Sequence, residues 1–251
     1  VTLIVHARVP KMISDDNGNP KKNLSTKYNR TKLAQCLDLV RIFCYTVGMK
    51  KKNNSFEIFD GCGAVMLSAP HNVEHLRNGQ MRFAEPQTGV LALKLHDELH
   101  VPVIVKTFND NDDANFDEVS PYKQSLAQYI NAHGNIRLLI DLHQLAPERD
   151  IAADIGTADK VNFADDNFVA QIVNEFESRN ITPVKVDFIF KGAGQNTVSS
   201  FIRVNCGIPT LQLELNSNLL VEKYPTYNLD GVYNALKSII TLYNRQEGAN
   251  E

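Results

Sequence analysis

His71, His143 and Glu214 are the residues of this chain whose types and positions are best suited to chemistry. Each stands directly after a short apolar run bounded by Gly, Pro or Asn. Such runs are typical of buried strands. In open α/β sheets, ligands bind beyond the carboxyl ends of the strands, so these side chains are expected to meet in one crevice. Two imidazoles and a carboxylate placed there predict a hydrolytic zinc site.

The third ligand of such a site should be a carboxylate, because a catalytic zinc ion typically takes three protein ligands and leaves a fourth position open. The sequence offers two. Glu74 stands three residues after His71, whereas Glu85 stands directly before Pro86 at the start of a predicted helix. His75 is a further candidate if its segment is helical. The alternative is that the histidines are hydrogen-bonded core residues, but two of them at strand ends favour the metal site.

The segment around Glu214 alternates apolar and polar residues, so a pleated strand would place Gln212, Glu214 and Asn216 on one face. If the strand lies at an edge of the sheet, this face meets solvent. Otherwise Glu214 is predicted to be a general base that takes a proton from water and passes it to the leaving amine. Asp141 shares a strand face with His143, where it would either orient that ligand or cap a neighbouring element.

The elements that must position these residues alternate along the chain. Helices are predicted over 31–47, 86–100, 120–133, 165–180 and 229–245, and strands over 2–6, 56–60, 64–69, 101–107, 136–142, 184–190, 197–204 and 210–215. Strands alternating with helices of ten or more residues predict an α/β sheet covered on both faces. The length suits one domain over 1–251, with 1–55 as a candidate N-terminal extension and 56–251 as the core.

Composition excludes several classes of protein. A net charge of -3 gives no electrostatic reason to expect nucleic acid or an anionic membrane as a partner. No apolar stretch is long enough to span a membrane, and nothing resembles a signal peptide. The cysteines form no Cys-x-x-Cys pair, so we expect free thiols and a cytoplasmic location. They are Cys36, Cys44, Cys62 and Cys206.

Six short segments occur in an order and spacing that one family shares. They are Ala69-Pro70-His71, Glu85-Pro86-Gln87-Thr88-Gly89, Asp113-Ala114-Asn115, Asp141-Leu142-His143-Gln144, Asp154-Ile155-Gly156-Thr157 and Gln212-Leu213-Glu214-Leu215-Asn216. In these segments the chain resembles the N-formylglutamate amidohydrolase family, relatives of the zinc carboxypeptidases and aspartoacylases.

The resemblance implies a three-layer α/β/α fold of the phosphorylase/hydrolase-like kind, with a mixed, mostly parallel central sheet and one Zn2+ ion. It implies hydrolysis of an amide bond in an N-acyl amino acid similar to N-formylglutamate, or in a related small acidic amide. In that family the acidic ligand opens the helix, which favours Glu85 over Glu74. The implied ligands are therefore His71, Glu85 and His143, with Glu214 at the catalytic position.

The chain departs from the family at Phe116 and Ser217, where the family usually has arginine. Because arginine binds carboxylates through two parallel hydrogen bonds, another residue must take over the substrate's carboxylate. Arg77, Arg82 and Asn115 are the predicted substrate-binding residues. The missing arginines also motivate a second hypothesis, a non-catalytic module that binds a small acidic ligand. A third is a metallopeptidase acting on γ-glutamyl or cell-wall peptides.

Overall fold

The computed structural model describes residues 52–53 and 55–249. The predicted strand over 2–6 and helix over 31–47 lie outside these residues, as does nearly all of the candidate N-terminal extension.

The described part of the chain alternates strands and helices as the sequence predicted. Its strands are β1 (Lys52–Asn53), β2 (Phe56–Phe59), β3 (Val65–Ala69), β4 (His75–Arg77), β5 (Gln80–Arg82), β6 (Val103–Lys106), β7 (Leu138–Leu145), β8 (Ala153–Gly156), β9 (Val184–Val186) and β10 (Thr210–Asn216). Its helices are α1 (Pro86–Leu99), α2 (Pro121–Ala132), α3 (Asp166–Glu177), α4 (Val198–Cys206), α5 (Ser217–Leu220) and α6 (Leu229–Ala249).

The main sheet has the strand order β1-β2-β6-β3-β7-β10-β8-β9. Its central strands β6, β3, β7 and β10 run parallel to one another, and β8 pairs antiparallel to β10 and parallel to β9. On the other side β2 is antiparallel to β6. The sheet is therefore mixed with a parallel centre, which confirms the architecture that the resemblance implied. Strands β4 and β5 form a separate hairpin.

Alternate side chains of the central strands supply two apolar cores, one on each face of the sheet. Leu138, Ile140 and Leu142 of β7 pack in the core that α1, α3 and α6 cover, whereas Leu139 packs in the core under α2 and α4. Helices thus bury both faces, as all-parallel sheet centres require. No helix of residues 55–249 combines the length and hydropathy that a membrane span needs.

The predicted strand over 197–204 is wrong, because this segment forms helix α4. The side chain of Thr197 caps the helix by accepting a hydrogen bond from the backbone N–H of Ser200. Gly207 ends the helix with a φ of 72°. Val198 and Ile202 are buried four residues apart, which is a helical spacing. The β-branched and aromatic composition of the segment favoured a strand, but packing against the sheet determines its structure.

Candidate metal centre and active site

His71, Glu85 and His143 meet beyond the carboxyl end of the parallel strands. His71 follows β3, His143 lies near the end of β7, and Glu85 immediately precedes α1. The backbone N–H of Glu85 donates to the carbonyl of His71 at 2.7 Å, and Pro86 begins the helix. The Glu85 carboxylate makes no capping hydrogen bond to α1. It instead accepts the N–H of Gln144 at 2.9 Å, which turns it toward the two histidines.

The donor atoms of these three side chains have the spacing of ligands around one small cation. His71 Nδ1 lies 3.0 Å from Glu85 Oε1, His143 Nδ1 lies 3.4 Å from Glu85 Oε2, and the two Nδ1 atoms are 3.2 Å apart. Tetrahedral zinc with bonds near 2 Å separates its ligand atoms by about 3.3 Å. The two rings are inclined by 70°, so their in-plane lone pairs can converge on one ion. The residues present therefore fit the metal that the resemblance implied.

A second group, His71, His75 and Asp113, also brings potential ligand atoms together. The His75 ring is stacked on the His71 ring, with centroids 3.8 Å apart and planes inclined by only 3°. Because parallel planes do not meet, an ion in the plane of one ring lies well outside the plane of the other. Burial, followed by the charge of His71, lowers the pKa of His75 to about 4, so this ring is neutral at pH 7.

The hairpin of β4 and β5 sets the positions of His75 and Glu74. His75 begins β4 instead of continuing a helix, and Asn78 and Gly79 form the hairpin turn with positive φ angles. Glu74 is exposed and belongs to neither group of potential ligands. Of the two predicted carboxylates, only Glu85 faces the histidines.

Buried aspartates orient both histidines through the ring nitrogens that face away from Glu85. His71 Nε2 lies 2.9 Å from Asp113 Oδ1, and His143 Nε2 lies 3.0 Å from Asp141 Oδ2. A carboxylate at Nε2 keeps the proton there and leaves the Nδ1 lone pair for a cation. Asp141 thus has the orienting position that the sequence offered as one of two alternatives. From the sequence, Asp113 was noted only as part of the Asp113-Ala114-Asn115 segment and was given no role, because its loop carries no periodicity that would place it beside His71.

The charges of the cluster also favour a bound cation. Burial lowers the pKa of each histidine, but the neighbouring carboxylates outweigh it, so the pKa values of His71 and His143 lie above their ordinary value. Burial raises the pKa values of Glu85 and Asp113, yet the imidazoles outweigh it and hold both well below their ordinary values. The cluster therefore combines two imidazoles with carboxylates that stay ionised, which is a donor set suited to a divalent cation.

Glu214 lies on a central strand, beside the cluster of His71, Glu85 and His143. Strand β10 lies between β7 and β8, and Glu214 is the register partner of His143, so the interpretation of this face as a solvent edge is wrong. The residue is only 7% exposed, and Gln212 Nε2 donates to its Oε1 at 2.9 Å. Burial raises the pKa of Glu214 to about 7, which is the range in which a carboxylate can both take and return a proton.

The cluster and Glu214 line one cavity of about 660 Å³. Its lining also includes the cationic side chains Arg77, Arg82, Arg149 and Lys191. The cavity thus places the cluster of potential metal ligands, a carboxylate and positive charge around the same space. That combination suits an anionic ligand.

Two of the predicted substrate-binding residues are already engaged within the protein. Arg77 Nε donates to Asp113 Oδ2 at 2.6 Å, and its guanidinium lies 5.3 Å from the centroid of the Phe116 ring. Asn115 Oδ1 accepts the backbone N–H of Val198 at 2.8 Å, which ties its loop to the start of α4. Both residues line the cavity, but each also has a clear structural role.

No protein-family model and no curated protein matches the sequence. Solved structures do match in fold. An N-formylglutamate amidohydrolase from Ralstonia eutropha JMP134 aligns with a TM-score of 0.53 at 11% identity, covering 77% of this chain and 99% of that one. A bacteriophage poly-gamma-glutamate hydrolase aligns with a TM-score of 0.52 at 12% identity, covering 78% and 93%. These matches confirm the fold that the resemblance implied for this chain.

Proposed function

We propose that this protein is a zinc-dependent hydrolase of an amide bond in an N-acyl amino acid or a related small acidic amide. The observation that carries the proposal is the convergence of His71, Glu85 and His143 within 3.4 Å of one another, in one cavity with Glu214. A zinc ion held there would polarise the scissile carbonyl and make water nucleophilic at neutral pH.

Glu214 is proposed as the group that moves the proton. As a carboxylate it would accept a proton from the attacking water, and as an acid it would pass that proton to the leaving nitrogen. Its pKa of about 7 supports both halves of this cycle, and Gln212 holds one of its oxygens in place.

Hydrolysis of γ-glutamyl or cell-wall peptides is the second candidate. A groove of about 420 Å³ shares Asn115, Gly194 and Thr197 with the main cavity, so the cleft extends past the residues around the ligand cluster. This adjoining groove offers room for part of a substrate longer than one acylated amino acid. One matched structure is named as a poly-gamma-glutamate hydrolase, which is consistent with a longer substrate.

Metal content and turnover of the full chain test these proposals. The wild-type protein should hold about one zinc ion per chain and hydrolyse N-formyl-L-glutamate or γ-glutamyl oligomers, with the preferred substrate separating the two candidates. Glu214→Gln should keep its zinc and lose on the order of 10²- to 10⁴-fold in kcat. Glu74→Gln is the matched control, because it removes an exposed carboxylate of the same region and should leave both properties unchanged.

Two outcomes would contradict the proposal. A protein that binds no zinc in metal-replete buffer is not a zinc hydrolase. A protein that binds zinc but turns over neither substrate is instead the small-ligand-binding module that the missing arginines suggested.

A further inference from the structure

Two of the four cations that line the cavity already have counter-ions. Arg77 pairs with the buried Asp113, and Lys191 Nζ lies 2.8 Å from Asp159 Oδ1. Arg82 and Arg149 have no ion pair among the described residues, so their charge remains available for a ligand.

The backbone of Arg149 is anchored to the strand that carries Glu214, whereas Arg82 has no such support. Arg82 lies in β5, an exposed strand whose one pairing partner among the described strands is β4. The buried Asn216, two residues after Glu214, donates through Nδ2 to the carbonyls of Arg149 and Ile151, both at 2.9 Å. These bonds fix the loop that bears Arg149 relative to the catalytic carboxylate.

The guanidinium of Arg149 also rests against a supported aromatic ring. It lies 6.0 Å from the centroid of Phe190, at the outer limit of a cation–π contact. The backbone N–H groups of Phe188, Ile189 and Phe190 all donate to the buried carboxylate of Asp154, at 2.7–3.1 Å. A carboxylate that holds three successive N–H groups keeps this ring in place beneath the arginine.

Resting on the proposed function, we propose that Arg149 is the specificity-determining residue that binds the free carboxylate of the substrate. Its guanidinium is the cation of this cavity that combines a missing counter-ion with an anchored backbone. Arginine presents a planar set of donors that matches the two oxygens of a carboxylate. The substrates that Arg149 selects are therefore amides that carry a free carboxylate, in preference to amides in which that group is neutral.

Kinetics on a matched pair of substrates test the proposal. The pair is N-formyl-L-glutamate and its diamide, in which both carboxylates are neutral. For the acidic substrate, Arg149→Gln should raise KM on the order of tenfold to hundredfold with a smaller change in kcat, because one charged hydrogen-bond pair is lost. Its KM for the diamide should not change. Arg149→Lys should recover part of the loss, since it keeps the charge.

The control is Arg245→Gln, which removes an exposed arginine of α6 that has no ion pair among the described residues and lies outside the cavity. It should behave as the wild-type protein with both substrates. Equal KM values of Arg149→Gln and wild-type protein for the acidic substrate would overturn the proposal. An equal loss on both substrates would also overturn it, because Arg149 would then act only on the structure of the loop.

Binding of L-glutamate, measured by calorimetry on metal-loaded and metal-free protein, separates this inference from the proposed function. Suppose that neither the wild-type protein nor Arg149→Gln turns over substrate, but that the wild-type protein binds L-glutamate and Arg149→Gln does not. The proposed hydrolase activity is then refuted, and the role of Arg149 in carboxylate binding is supported. If turnover is observed and both proteins bind L-glutamate equally, the hydrolase stands and the role of Arg149 fails. Absence of L-glutamate binding by the wild-type protein also overturns the inference.

Discussion

Replacement of Glu214 by glutamine should stabilise the metal-free protein at alkaline pH. Burial raises the pKa of this carboxyl from its ordinary value of 4.5 to about 7. The folded state therefore favours the protonated form, and the stability of the wild-type protein falls as pH rises from 4.5, with the loss complete above 7. The difference between the two pKa values corresponds to about 3 kcal/mol. Glutamine avoids this cost because it stays neutral.

Denaturant unfolding in the presence of a chelator, at pH 5 and pH 8, measures this effect. Relative to the wild-type protein, Glu214→Gln should gain about 2.5 kcal/mol more at pH 8 than at pH 5, because part of the loss has already occurred at pH 5. Glu74→Gln should show nearly the same small difference at both values, since its side chain is exposed. If the gain of Glu214→Gln is equal at pH 5 and pH 8, the carboxyl is not held neutral by burial, and the assignment of its pKa is wrong.

Three further perturbations follow from the structure. Tyr122→Phe should lower the free energy of unfolding by about 1–3 kcal/mol, because its buried hydroxyl is the partner of Ser68 Oγ and of the N–H of Ala69. Chemical denaturation at constant pH measures this, and an unchanged midpoint would contradict it. Asp141→Asn should weaken zinc binding on the order of 10- to 100-fold, because it alters the hydrogen bond that orients His143. A chelator competition measures this, and equal zinc affinities of the variant and the wild-type protein would exclude that role. Zinc at 100 times its Kd should stabilise the wild-type fold by about 2.7 kcal/mol, and a melting temperature independent of zinc would argue against a native metal site.

The candidate residues on the central strands could be predicted from the sequence, because the pattern that indicates them lies within a few neighbouring residues. The apolar runs that end in His71 and His143 predicted the strands. They also predicted that the two histidines lie at the carboxyl-terminal edge of the sheet. Alternation along β10 predicted the shared face of Gln212 and Glu214, although only the strand order shows that this face is buried. The α/β class followed in the same way from the spacing of helices and strands.

The rest depended on tertiary contacts that no spacing encodes. Asp113 reaches His71 from a loop 42 residues away, and Arg149 gains its position from Asn216, 67 residues later. Arg77 was predicted to bind substrate, but the same Asp113 engages it. Helix α4 was predicted as a strand because its composition and its packing favour different structures.

The two halves of the cavity are built in different ways, and this separation affects how the protein can change. The half that holds His71, Glu85 and His143 belongs to central strands and to the start of α1. The wall formed by Arg149 and Phe190 consists of loops, and two buried polar side chains, Asn216 and Asp154, attach these loops to the sheet. Loop residues that face the cavity can be exchanged while those two attachments are kept. New ligand preferences are therefore accessible, in evolution or by design, without rebuilding the cluster of His71, Glu85 and His143.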